Sequence, residues 1–339
     1  MPVHCFDEPR GEIVRFRIDS KALRGNLLGD PSDRVVAAYL PEGYASSKKD
    51  YPLFVDLVGF TGSGLRHLAW TPFGESVPQR IDRLVAAGAM GPVIALFPDC
   101  FTSLGGNQYI NSAAMGRWED FLIDEMIPAA ESRFRARKGR EHRALFGKSS
   151  GGYGAIVHGL RRADAWGAVA CHSGDMDFDL VYRPDFPKLL NALASHERSI
   201  EKYLAHRSSK PKMTSDDLHM IMIIAMAATY DPDGAAPKGV RLPVDLETGE
   251  LNEELWANWL AHDPVRLVKR PECLENLCRL SGLYIDCGKT DQYHIHYGTR
   301  AFVRDLAAAG VPHRYEEFDD DHTSVDYRMD VSLPFLYAA

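Results

Sequence analysis

"ALFGKSSGGYGAIVHG", residues 144–159, holds a Gly-Lys-Ser triplet inside a run of glycines. It reads either as a phosphate cradle or as a turn that presents a serine. A phosphate-binding P-loop needs a glycine five residues before its Gly-Lys-Ser, so that main-chain N–H groups can wrap an anion. That position is His142. The window Gly147-Lys148-Ser149-Ser150-Gly151 instead fits G-x-S-x-G, the sharp strand-to-helix turn that exposes a nucleophile, with glycines relieving the crowding. Centring the pattern on Ser150 would need glycine at 148, where lysine stands. Ser149 is therefore the candidate nucleophile.

The chain around this turn alternates short apolar runs with helical patterns. "RVVAAYLP" (34–41), "YPLFVDLVG" (51–59), "PVIALFPD" (92–99), "HRALFG" (142–147), "GAVACHSG" (167–174) and "GLYIDCG" (282–288) read as buried strands. "VPQRIDRLVAAG", "RWEDFLIDEMIPAAESRFR" and "GYGAIVHGLRRA" between them place apolar residues at helical spacing. Such alternation predicts an α/β fold with a mostly parallel, helix-covered sheet. "EIVRFRID" (12–19) alternates apolar and polar residues as an edge strand does. After Gly174 the alternation stops for roughly 95 residues, too long for a structureless loop in a compact domain. "FPKLLNALASHERSIEKYL", "LHMIMIIAMAATY" (218–230) and "NEELWANWLAHDPVRLV" read there as helices. The expected organisation is a core of residues 1–175 and 271–339 with a helical insertion, or cap, at 176–270. The methionines of 218–230 are read as core or as an adaptable wall for an acyl group.

Composition excludes several classes. At 339 residues and 45% apolar content the chain can bury a large core, and with a net charge of −8 and no Lys/Arg run a nucleic-acid partner is not expected. No stretch approaches the ~20 apolar residues that cross a bilayer. "MPVHCFDEPRGEIVRF" lacks a charged segment followed by an apolar one, so a cytoplasmic location is expected. Cysteines at 5, 100, 171, 273, 278 and 287 are scattered, which suits free thiols and not a zinc site.

A serine hydroxyl needs a base to take its proton and an acid to orient that base. With a nucleophile elbow the chain order is serine, acid, histidine. Asp291 follows the strand "GLYIDCG", at the carboxyl end where such sheets do their chemistry. His322 follows the strand "HRYEEFD". Asp286, inside its strand, is read as ordering the loop; Asp175 and Asp177 are alternative acids, and His172 is read as shaping the pocket floor. His294 and His296 form an H-x-H pair, but no third ligand accompanies them and no metal is expected. The acidic run 316–321 reads as a solvated loop beside His322. Two main-chain donors should hold the oxyanion: the amide of Ser150, after the nucleophile, and that of Phe60 in "LVGFTGSG", with Thr61 behind it.

With these residues assembled, the chain resembles the esterase D / enterochelin-esterase-like group of α/β-hydrolases. The likeness runs from "SKALRGNLLGDPSDRVVAAYLPEGY" through "YPLFVDLVGFTGSG", "GRWEDFLIDEMIPAAESRF", "ALFGKSSGGYGA" and "AVACHSGD", and resumes at "LYIDCGKTDQYHIHYGTRAFVRDLAAAGVPHRYEEFDDDHTSVDYR". The resemblance implies an α/β-hydrolase fold, Ser149 as nucleophile, Asp291 as acid, His322 as base, and the Phe60 and Ser150 amides as oxyanion donors. It implies a small-molecule ester substrate and no cofactor. Where such relatives carry a His-Gly or Ser-Gly pair after the third strand, this chain has Val58-Gly59. The expected activity is serine carboxylic-ester hydrolysis of a small or medium acyl ester. Transfer of the acyl group to an alcohol or thiol, and an idle binding protein on the same fold, are the alternatives. The sequence leaves the oligomeric state open, a homodimer included.

Overall fold

A computed structural model describes residues 4–339. Eight strands form one sheet: β1 (Glu12–Asp19), β2 (Asp33–Leu40), β3 (Leu53–Leu57), β4 (Ile94–Pro98), β5 (Arg143–Lys148), β6 (Ala168–His172), β7 (Gly282–Gly288) and β8 (Arg314–Phe318). Their spatial order is β1-β2-β4-β3-β5-β6-β7-β8. The β1/β2 and β2/β4 pairs are antiparallel and every later pair is parallel. β1 and β8 close the two edges and stay partly exposed, β1 in an alternating pattern; β3, β4, β6 and β7 are buried along their whole length.

Strand periodicity splits the core between the two faces. Phe54, Ala95, Phe97, Ala144, Phe146 and Tyr284 pack against α1 (Val77–Ala86) and the C-terminal helix Met329–Ala338. Leu53, Val55, Leu57, Leu145 and Val169 face the opposite layer, which holds α2 (Ser150–Arg161) and the helices of the insertion. α1 starts with a capping box in which Ser76 and Gln79 satisfy each other's amides, and Pro78 sits where no helical N–H is needed.

Between β6 and β7 the chain is helical, with more breaks than periodicity suggests. "FPKLLNALASHERSIEKYL" forms Phe186–Ala194 and Ile200–Ser209, parted at Glu197 and Arg198, which both take positive φ. "NEELWANWLAHDPVRLV" forms Glu253–Leu260 and Pro264–Leu267, because Pro264 cannot continue a helix and Asp263 caps the next one. The run from Trp118 likewise contains a π-helical turn, Phe121–Met126, just before Pro128. α3 (Ser215–Tyr230) is buried nearly all round from Met220 onward, so the apolar stretch holding its three methionines is largely core.

Aromatic side chains tie these helices to the core. Tyr153 on α2 packs against Phe178 and Tyr230, and Tyr230 against Tyr182 and Trp259. The Tyr153 hydroxyl donates to the His262 carbonyl at 2.9 Å, and the His262 ring lies 5.5 Å from that of Tyr230. Burial, reinforced by Arg161 and Arg270, pulls the His262 pKa from 6.5 down to about 3. Its stabilising contribution is therefore complete above pH 6.5 and is lost as the pH falls toward 3, because the unfolded chain takes a proton that the folded chain refuses. His262→Gln, uncharged throughout, is expected to flatten the loss of stability between about pH 6 and 4 by on the order of 1–3 kcal/mol. Urea melts across that range check it, and parallel stability curves for the two proteins would contradict it.

Candidate active site

Ser149 sits between β5 and α2 at φ 57°, ψ −124°, a backbone conformation that costs about 1–3 kcal/mol unless its surroundings enforce it. The enforcement is visible. A Cβ on Gly151 would lie 1.9 Å from the Leu57 carbonyl oxygen, and one on Gly147 would lie 2.4 Å from the Gly151 carbonyl oxygen. Only glycine lets the start of α2 press onto the end of β3. The Ser149 amide donates to the His172 carbonyl at 2.9 Å, fixing the turn to β6 as well.

The structure brings Asp291 and His322 together. His322 Nδ1 lies 2.7 Å from Asp291 Oδ2, and Asp291 Oδ1 accepts the Tyr293 amide at 2.9 Å. Gln292 Oε1 accepts the His322 amide at 2.9 Å, and the Tyr293 ring packs edge-on against the imidazole at 4.8 Å. The loop after β7 thus holds the histidine by its main chain, its Nδ1 and its face. Ser149 and His322 line one cleft of about 610 Å³. No direct hydrogen bond joins them among the described residues; in ligand-free sites such bonds are often long.

Gly59 brings the loop after β3 beside the serine, a Cβ there meeting Ser149 Cβ at 3.3 Å. The Phe60 and Ser150 amides have no main-chain acceptor among the described residues. The Phe60 carbonyl accepts the Gly106 amide at 2.7 Å, and the Tyr109 hydroxyl donates to the Val58 carbonyl at 2.6 Å, so residues 106–109 clamp the loop from behind. Thr61 also lines the cleft.

Other residues named from sequence lie elsewhere. His172 does not line the cleft: it is buried, with Nδ1 2.8 Å from Asp286 and Nε2 2.8 Å from the Ser332 hydroxyl, and only its carbonyl serves the elbow. Asp286 orders the C-terminal segment more than its own loop, accepting from Arg328 at 2.8 Å and Tyr284 at 3.0 Å. Burial opposes its charge, but His172 and Arg328 outweigh that and hold its pKa below the usual value. Asp177 caps a short helix at positive φ, and its amide bonds Asp263. Asp175 does line the cleft; burial raises its pKa, while its Oδ2 accepts from Tyr182 at 2.7 Å and Gln108 at 3.2 Å. His294 caps the helix Ile295–Ala308, and among the described residues no three His, Cys, Asp or Glu side chains converge as metal ligands. Glu316 and Glu317 lie on β8, paired with Arg314, Arg328 and Arg300, not in a solvated loop.

Sequence reasoning missed Gln108, Asp56 and His67. Gln108 Nε2 reaches Ser150 Oγ at 3.0 Å and Met226 Sδ at 3.1 Å, linking the elbow to α3. No motif announces it. Asp56 and His67 did leave a signal, since "LFVDLV" puts a lone acid inside a buried strand, and such an acid demands a partner.

Comparison with known proteins agrees with this architecture. A family model described as "Putative esterase" matches residues 31–332. Esterase Rv1288 of Mycobacterium tuberculosis is 30% identical over 157 residues, covering 43% of this chain and 31% of that protein. The match thus spans about a third of that relative's length. Among solved structures, a ferulic acid esterase aligns with a TM-score of 0.61 at 21% identity, over 97% of this chain and 98% of that one. An S-formylglutathione hydrolase from Staphylococcus aureus aligns with a TM-score of 0.58 at 14% identity, over 96% and 99% of the two chains. At those identities the likeness establishes the α/β-hydrolase fold. No helix among the described residues is long and apolar enough to cross a membrane. The match over nearly the whole length decides the family: the chain belongs to the putative esterases.

Proposed function

We propose that the protein is a serine carboxylic-ester hydrolase that works through an acyl-enzyme. The observation that carries this is the convergence of a strained Ser149 and an Asp291-held His322 on one cleft. His322 Nε2 takes the hydroxyl proton as Ser149 Oγ bonds to the ester carbonyl carbon. The oxyanion that forms is held by the Phe60 and Ser150 amides, which carry no competing main-chain acceptor. Collapse breaks the bond to the alcohol oxygen, which leaves with the proton from His322. A water molecule, deprotonated by the same nitrogen, then attacks the acyl carbon and frees the acid. Asp291 keeps Nδ1 protonated and stabilises the imidazolium.

The substrate's acyl group meets the insertion. Ser215, Leu218, His219 and Met222 occupy one face of α3 at helical spacing and line the cleft with Val181. This supports reading residues 176–270 as a cap that sizes the acyl pocket for small or medium chains.

Ser149→Ala is expected to lower kcat on p-nitrophenyl esters by on the order of 10³-fold or more, and Asp291→Asn by about 10³–10⁴-fold. Wild-type-like turnover by Ser149→Ala would remove it from its role. Leu218→Ala and Met222→Ala are expected to move the optimum of an acetate-to-decanoate series toward longer acyl chains, with acetate changed least. Equal effects on every ester would leave that face of α3 as structure alone.

A further inference from the structure

Acyl transfer as derived above uses no side chain on the loop that follows the oxyanion donor, yet that loop and the residue before the nucleophile bring three basic groups to the same cleft. The first is held in place at some cost. Asp56, in β3, has no exposed side-chain surface, and its Oδ2 lies 2.5 Å from His67 Nδ1 while its Oδ1 has no hydrogen-bond partner among the described residues. A buried carboxylate with one partner is costly unless that partner is charged. Burial disfavours charge on His67, but Asp56 outweighs it, and the imidazole pKa lies above its ordinary value. The buried aspartate therefore favours the protonated form of the histidine at the cleft wall, whose Nε2 has no partner among the described residues.

Lys148 is the second group. It is half-buried directly before Ser149, lines the cleft, and has no carboxylate within 4.0 Å among the described residues. The third, Arg66, lines the cleft, and among the described residues its guanidinium hydrogen-bonds the Thr61 carbonyl alone, at 3.5 Å. Of the acids lining the cleft, Glu75 is paired with Arg80 and Arg83 and Asp175 accepts from Tyr182 and Gln108, which leaves half-buried Asp326, with no ion pair within 4.0 Å among the described residues. Arg80 also borders the cleft but is committed to Glu75 and Asp330. With Asp56 taken up by His67, Lys148 and Arg66 face one acid of the cleft lining that has neither an ion pair nor a side-chain hydrogen bond among the described residues, and an exposed surface role does not explain why Asp56 is buried beside His67.

We propose that His67, Lys148 and Arg66 form a subsite for an anionic group, carboxylate or phosphate, on the alcohol portion of the ester. This rests on the serine-esterase reading. The alcohol side follows from position. The apolar cleft residues Val181, Leu218 and Met222 come from the insertion and suit an acyl chain. His67 and Lys148 lie in the field of Asp326, four residues beyond His322, and Lys148 in that of Asp291 and Asp321 as well, which oppose the lowering of its pKa by burial. They are thus beside the loops that carry the histidine which protonates the leaving oxygen. Neither oxyanion donor is a side chain, so these cations are free to read substrate.

The test compares 4-acetoxybenzoate with 4-acetoxybenzamide, which share the acetyl group and differ in charge on the leaving phenol. Wild type is expected to favour the benzoate in kcat/KM. That preference should fall about tenfold in Lys148→Met and in His67→Gln, chiefly through KM, as loss of one close charge pair predicts. It should rise in Asp326→Asn, which removes the opposing acid from a short turn outside the sheet and keeps the test open if His67→Gln strands Asp56 and fails to fold. 4-Acetoxyphenyl phosphate run alongside tells which anion is preferred. A wild type indifferent to the charge, or a preference unchanged in Lys148→Met and Asp326→Asn, overturns the subsite and leaves the esterase standing. A wild type that cleaves none of these esters and resists labelling by a fluorophosphonate overturns the esterase reading itself.

Discussion

The close contact between the start of α2 and the end of β3 is the constraint on which the site depends. Gly151 lies where any side chain would collide with the Leu57 carbonyl, and Gly147 where one would collide with Gly151. That approach forces Ser149 into positive φ and aims it out of the sheet. It also brings the loop after β3 against the serine, so one packing decision places both Ser149 and the first-loop amide. The strain is affordable because β6 takes the Ser149 amide and α2 is buried throughout its first ten residues.

Three histidine–aspartate pairs flank this turn, and their roles part according to what the second ring nitrogen meets. In His172–Asp286 that nitrogen is held by Ser332, so the pair is a fastener joining β6, β7 and the C-terminal helix. In His67–Asp56 and His322–Asp291 both rings line the cleft. The His322 pair stands on the loops that follow β7 and β8. In the His67 pair the acid is sunk in β3, and its charge raises the imidazole pKa against the effect of burial.

The strands were legible because fully covered strands must be apolar along their length; "GLYIDCG" matches β7 residue for residue. The elbow was legible because only glycine fits there. Chain order put Asp291 before His322 on successive loops, and the structure brings those two into contact. Helix breaks in the insertion were less legible, since Glu197 and Arg198 adopt positive φ without glycine to announce it. His172 was misread because its place at a strand end beside the nucleophile looks the same in sequence whether the ring turns to the cleft or to the far side of the sheet. The partner that settles its direction, Ser332, is 160 residues away.

The insertion's attachment bears on how the cleft selects substrates. A lid that swings free needs few buried contacts across its hinge. Here Tyr153, three residues after Ser150, inserts into a cluster of Phe178, Tyr182, Tyr230 and Trp259, all buried. Gln108 ties Ser150 and Asp175 to Met226 on α3, and Ser112 Oγ donates to the Ala228 carbonyl at 2.5 Å. Lifting α3 would expose these rings and break polar links that reach the elbow itself. On the proposed esterase reading, substrate choice then falls to the side chains on the cleft face of α3, Leu218 and Met222 among them, and not to opening and closing of the segment. The same coupling means that core substitutions around Tyr230 should reach the elbow through α2, whereas substitutions on the cleft face should not.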